Sequence, residues 1–411
     1  MISYIRWAHN INYTYYITCF IMLFILPIIP IVISCIIGLI TSNISSKFKY
    51  KNATQIIISM LILIGILYIS FNMDTIFTYI EKHATSMNDL ITKIYYPAGV
   101  FAKLITKFNI LDLITFILVN IIIFILSIFI LSKFYFKINS KLKSITTTYN
   151  KKINIDTLKI KSNPQTISLI KKEINTFFKI PVFIINAGFA LVLFIVAIII
   201  ILIKFDSLIN ILTTNEIGLG LTKESILNNI SIYILILISI TSYTTSITNS
   251  VISLEGKNIN ILKSLPIKVK TILMSKVLSA LTITTPVLII GNILLFIKFK
   301  INIFNSLLLL ILSILIPLVS HFIGIIVNLK YPKFDFENSA EVVKQSASSF
   351  IALMINMILL IISFIITTNI IDIINSSLIL LLSTIVYIII DILLYLYLIN
   401  IGVKEFNKLT I

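Results

Sequence analysis

Two titratable side chains, His321 and Asp391, stand inside stretches that are otherwise apolar. An ionisable group in such surroundings pairs with something or lies on the path of a proton, an ion or a substrate. Both are therefore candidates for a transport path. The competing reading of Asp391 is a contact between helices. A carboxylate near the centre of a span costs about 2.5–3.5 kcal/mol, which surrounding Ile and Leu offset at about 0.3–0.6 kcal/mol each. His321 follows Pro317, whose ring removes the backbone bond to Ser313, so it either lines a kinked, cavity-forming helix or packs beside the kink. A third set lies between two apolar runs: Leu254-Glu255-Gly256-Lys257 leads through Ile259, Leu262 and Leu265 to Pro266. Spacing of i, i+3, i+6 gives a short apolar stripe, with Lys257, Lys263, Lys268 and Lys270 around it. Such an element inserts into a groove of a soluble partner or rests on lipid headgroups. The residues alone leave both open.

Other chemistry finds no support. Glu255-Gly-Lys257 is too short for a phosphate loop, and no Gly-x-x-x-x-Gly-Lys-Ser/Thr occurs elsewhere. The histidines His9, His83 and His321 are scattered, and no His-Glu-x-x-His or Gly-x-Ser-x-Gly is present. Cys19 and Cys35 have no companions at metal-ligand spacing. No catalytic residue, metal site or bound cofactor is expected in this chain, which is therefore not read as an enzyme.

The elements that must position these residues are membrane spans. Of the 411 residues, 58% are hydrophobic and only 12% charged, against roughly 25% charged in a soluble domain. The expected fold is all-α, a polytopic helical membrane protein. Nine runs are near the roughly 20 apolar residues that a span needs: 17–40, 56–72, 110–132, 181–203, 230–252, 277–297, 303–327, 350–371 and 377–399. The net charge of +17 points to topology and anionic lipid headgroups rather than nucleic acid, because the lysines gather in a few loops. Residues 133–180 hold eleven lysines against Asp156 and Glu173, and 253–276 hold five against Glu255. Residues 204–229 hold two lysines against three acids. The positive-inside bias puts the first two loops and the C-terminus in the cytoplasm and the third outside. No cleavable signal peptide is evident, so 17–40 reads as a retained span of a multi-pass protein of the cytoplasmic membrane.

Three parts are expected: a three-span segment over 1–132, a basic cytoplasmic linker over 133–164, and a six-span unit over 165–411. The last opens with an amphipathic helix over 165–180. Its Ile167, Ile170, Ile174, Phe177 and Phe178 recur at helical spacing, with Lys171, Lys172 and Glu173 largely opposite, a pattern suited to the headgroup plane.

Glu255-Gly-Lys-x-x-x-x-Leu262-Lys-x-Leu-Pro266, with Lys276 at the head of the next span, resembles the cytoplasmic loop of ABC exporter permeases of the type-two class. A second stretch, Asn328-Leu-Lys-Tyr-Pro-Lys-Phe-Asp-Phe-Glu-Asn338 with Glu341-Val-Val-Lys-Gln345, is similar to a loop of one bacterial branch of those permeases. Asn260 departs from the aromatic which that branch often carries. The resemblance covers about 165–411. It implies that Leu254, Glu255, Gly256, Lys257, Ile259, Leu262, Leu265 and Pro266 dock on a separate ABC ATPase subunit. Tyr331, Pro332, Phe334, Asp335, Glu341 and Lys344 would give a secondary cytoplasmic contact. ATP and Mg would be bound by that partner, and the chain would pair with itself or a sister permease. The alternatives are a proton-coupled secondary transporter using His321 and Asp391, and a membrane scaffold that transports nothing.

Overall fold

The computed structural model describes residues 13–45, 48, 51–83, 93, 96–106, 109–147, 164–213, 222–245, 247–371 and 373–409. Among them every regular element is helical, as the composition requires. Eight helical stretches are long and apolar enough to cross a membrane, from Cys19–Ser45 to Ser376–Lys408, and Ile230–Thr244 is a shorter ninth. These nine coincide with the nine apolar runs of the sequence. The protein is a polytopic helical membrane protein.

Two compact units divide the chain, Met1–Leu158 and Lys159–Ile411. The first holds α1 (Tyr13–Ile25), α2 (Ile28–Ser45), α3 (Lys51–Phe71), α4 (Met73–Lys82), α5 (Tyr96–Thr106) and α6 (Ile110–Thr147). Its small core joins Met22, Ile25, Val100, Leu104, Leu113 and Phe116. Helix α6 runs 38 residues, through the first half of the stretch expected to be a linker. The remainder of that stretch up to 163 lies outside the described residues.

The second unit begins with α7 (Gln165–Lys179), α8 (Pro181–Ala187), α9 (Phe189–Thr213), α10 (Lys223–Asn228) and α11 (Ile230–Thr244). A 3-10 turn (Ser253–Asn258) and α12 (Ile259–Ser264) follow, then α13 (Val269–Phe299) and α14 (Ile303–Lys330). The chain ends with α15 (Ser339–Val343), α16 (Ala347–Ile370), α17 (Ser376–Tyr397) and, after one π turn, α18 (Val403–Lys408). Helix α14 is the hub, packed by α11, α13, α16 and α17. In lipid, apolar surface alone does not hold helices together, so close packing and polar contacts across helices do. Asn292 of α13 donates to Ser313 of α14 at 2.5 Å, and Asn356 of α16 donates to Ser320 at 2.9 Å. Phe194, Ile238, Leu288, Leu312 and Ile316 fill the space between them.

Two spans depart from expectation: the run 181–203 is divided at Gly188 into α8 and α9, so its long helix starts at Phe189 rather than Pro181, and α11 is short. Helix α11 stops at Thr244 instead of continuing to 252. Its 15 residues cover about 22 Å, short of a hydrocarbon core of roughly 30 Å. Thr241, Thr244 and Thr245 turn their hydroxyls onto carbonyls one turn back at this end, as Thr284, Thr285, Ser383 and Thr384 do inside helices that run on, so these bonds do not by themselves end the helix. The irregular backbone over 247–252 is tolerated because it is buried in protein.

Candidate functional site

The basic segment after that break is anchored by buried charges. Lys276, about two turns into α13, is fully buried. Its ammonium donates to Glu173 of α7 at 2.7 Å, to Glu255 of the 3-10 turn at 2.5 Å and to the carbonyl of Val251 at 3.2 Å. The more exposed Lys172 adds two bonds to Glu255, at 2.5 and 2.7 Å. Burial works against charge on Glu255, but the charges of Lys276 and Lys172 outweigh it and hold its carboxyl down at about 2. A buried ion pair contributes little net stability, whereas removing one partner costs several kcal/mol. The cluster therefore fixes geometry, tying the turn to a span and to α7.

Helix α7 is amphipathic as its spacing predicts, but the packed face differs from the expected one. Leu169, Glu173 and Phe177 are buried, at i, i+4, i+8, while Ile167 and Phe178 stay exposed. Glu173 turns inward because Lys276 waits there, a partner 103 residues away that no helical period can reveal.

The expected docking residues divide in two. Glu255, Gly256, Ile259 and Leu262 face inward. Gly256 has φ +52°, a left-handed conformation that L side chains rarely adopt, and a Cβ there would meet the ring of Phe336 at 3.4 Å. Lys257, Leu265 and Pro266 are exposed, and Leu254 is intermediate. Leu265 is joined on the outer face by Ile261, four residues earlier, at 41% and 63% exposure. Sequence reasoning missed Ile261. Its signal was the i, i+4 step to Leu265, read instead as the i, i+3, i+6 stripe.

The second expected loop packs beneath the first. Asn328 at the end of α14 accepts from the backbone N–H groups of Ile252 and Ser253, and its amide donates to Ser253 and Ser348. The N–H of Lys333 donates to Ser253 at 2.9 Å. Asn338 and Glu341 form a capping box on α15, and Glu341 pairs with Lys333 at 3.0 Å. That hydrogen bond to Lys333 lowers the Glu341 carboxyl pKa. Tyr331, Asp335 and Lys344 are exposed; Pro332 and Phe334 are half-buried. On another side, Lys263 of α12 donates to the carbonyls of Asn407, at 3.1 Å, and Leu409. The structure thus brings α12, the 331–345 loop and the C-terminal helix onto one assembly.

His321 and Asp391 are not brought into contact by a hydrogen bond. The His321 ring is fully buried, its Nε2 3.2 Å from the hydroxyl of Thr284. The helix continues through Pro317 to Lys330. Neither oxygen of Asp391 has a hydrogen-bond partner among the described residues. No group of three or more His, Cys, Asp or Glu able to hold a metal occurs among those residues.

A family model described as "Membrane protein of 12 TMs" matches residues 2–401. No curated protein and no solved structure matches the chain.

Proposed function

The chain belongs to this family of twelve-span membrane proteins, and from that premise and the loop geometry we infer that it is the membrane permease subunit of an ATP-driven ABC exporter. The observation that carries the reading is the attachment of α12. The short helix and the residue that ends it expose two apolar side chains, Ile261 and Leu265, with Lys257, Lys263 and Lys268 around them. Behind it, Glu255 grips Lys276 of a long span. An apolar pair ringed by cations suits a groove with an acidic rim on a soluble partner. In this reading the partner is an ATPase chain that binds ATP and Mg and performs the hydrolysis. Its closure pushes α12, and the Glu255–Lys276–Glu173 cluster passes the displacement to α13 and α7 together. The permease pairs with a second copy or a sister chain, sits in the cytoplasmic membrane, and has its C-terminus on the ATPase side. Glu255, Gly256, Ile259 and Leu262 act by holding α12 in place, while Ile261, Leu265, Lys257 and Pro266 meet the partner.

Purification from native membranes in mild detergent tests this. An ABC ATPase should accompany the wild-type chain and be lost from the Ile261→Asp, Leu265→Asp double variant, which still elutes as one folded species. Equal recovery of the ATPase with both chains would contradict the assignment. The lone Asp391 favours a second reading, a proton-coupled transporter. That reading predicts transport that survives ATP depletion and stops with an uncoupler.

A further inference from the structure

Between α11, α16 and α17 lies a cavity of about 620 Å³, within the range of small-molecule sites. Ile362, Ile366, Leu382 and Val386 line it and are exposed within their spans, so a molecule dissolved in lipid has a sideways entrance. No charged side chain is among its described lining residues.

The inner wall carries hydroxyls. Tyr243 of α11 donates to Tyr387 of α17 at 3.2 Å, and both line the cavity together with Ser239, Ser363, Thr367 and Ser383. The last four give their hydrogens to carbonyls of their own helices, and Tyr243 gives its own to Tyr387. What these oxygens keep is chiefly acceptor capacity. Their depth decides what can use it. Tyr387 stands 11 residues beyond Ser376, the first residue of α17, about 16 Å along the axis and near the middle of a core of roughly 30 Å. A phospholipid keeps its head at the bilayer surface and brings only hydrocarbon to this depth. A small lipophile that carries a hydroxyl has no partner for it among lipid chains, where an unpaired polar group is costly, and finds one here.

We propose that this cavity binds an uncharged lipophile bearing a hydroxyl, its body against the apolar walls and its hydroxyl donating to the oxygens of the Tyr243–Tyr387 pair. A charged amphiphile would meet no counter-charge on these walls. A plain hydrocarbon chain would fill them and leave the acceptors unused. As a binding site this stands apart from the ATPase; as the cargo site of an exporter it rests on the reading above. Binding is therefore measured without ATP or partner, so that the two fail separately.

The test uses the full chain in phosphatidylcholine nanodiscs, with radiolabelled 4-nonylphenol as probe and its methyl ether as the analogue that has lost the donor. Saturable binding of the phenol above that of protein-free nanodiscs is expected, with the ether roughly five-fold weaker, the worth of one neutral hydrogen bond. Replacing both tyrosines, Tyr243→Phe with Tyr387→Phe, should erase most of that preference while the ether keeps its affinity, which also shows that the variant is folded. Leu382→Trp, which fills the cavity and leaves the tyrosines intact, should weaken both ligands. Absence of saturable binding, the result expected if a second copy covers this face, would overturn the proposal. So would equal affinity for phenol and ether in the wild type, marking a groove for lipid chains, or an undiminished preference in the double variant.

Discussion

Glu255 and Asp391 are buried to nearly the same degree, at 8% and 6% exposure, yet their surroundings are opposite. Glu255 sits at the edge of the spans with Lys276 and Lys172 in contact. Asp391 lies within α17, and neither of its oxygens has a hydrogen-bond partner among the described residues. Taking an ion out of water costs several kcal/mol, and only a well-placed counter-charge offsets it. The first site is closed by the chain's own residues and serves to hold elements together. The second has no hydrogen-bond partner among the described residues, and an ionisable group within a span is a candidate for a transport path.

Three substitutions test that contrast, and the largest effect belongs to Lys276→Met. It leaves Glu173 and Glu255 buried without a cation, and breaking a buried pair this way costs about 3–5 kcal/mol. Thermal unfolding in detergent should show a large loss, much of it recovered when Glu173→Gln and Glu255→Gln are added. No recovery would mean that Lys276 acts through packing alone. Next comes acid. The Glu255 carboxyl is held at about 2 in the fold against an ordinary 4.5. A depressed pKa contributes stability that is fully present above pH 4.5 and is lost as pH falls toward 2. Unfolding curves of the wild type should decline across that window, and Glu255→Gln should flatten the decline while lowering stability at pH 7. The smallest effect is expected at Asp391. Asp391→Asn replaces a buried carboxyl that has no hydrogen-bond partner among the described residues with a neutral amide of nearly the same shape, so any loss of stability at neutral pH should be smaller than that of Lys276→Met. A loss as large as that of Lys276→Met would show that Asp391 is a structural partner after all.

Much of this architecture is legible in the sequence. Nine apolar runs give nine apolar helices, because composition over twenty residues is a strong signal for a span. Gln165–Lys179 is helical as its spacing predicts. What escapes is which side of an element meets protein. Ile, Leu and Phe suit lipid and a protein core equally well, so periodicity finds the apolar stripe of α12 but cannot say that Ile259 and Leu262 turn inward while Ile261 and Leu265 turn out. The early end of α11 is not legible in the run Thr241-Ser-Tyr-Thr-Thr, because Ser and Thr hydroxyls bond carbonyls one turn back in helices that continue as well. Nor is the Lys276 cluster. It joins residues 83 and 103 positions apart, and only the folded chain shows that α7, the 3-10 turn and α13 converge.

The central claim is that the outer face of α12 meets an ATPase. A photo-reactive amino acid placed at Ile261, with a control at Phe364, an exposed residue within the span of α16, tests it in native membranes. The account predicts one dominant adduct from position 261, identified by mass spectrometry as an ATP-binding subunit with a phosphate-loop sequence, and lipid adducts alone from position 364. Lipid adducts alone from both positions would contradict it.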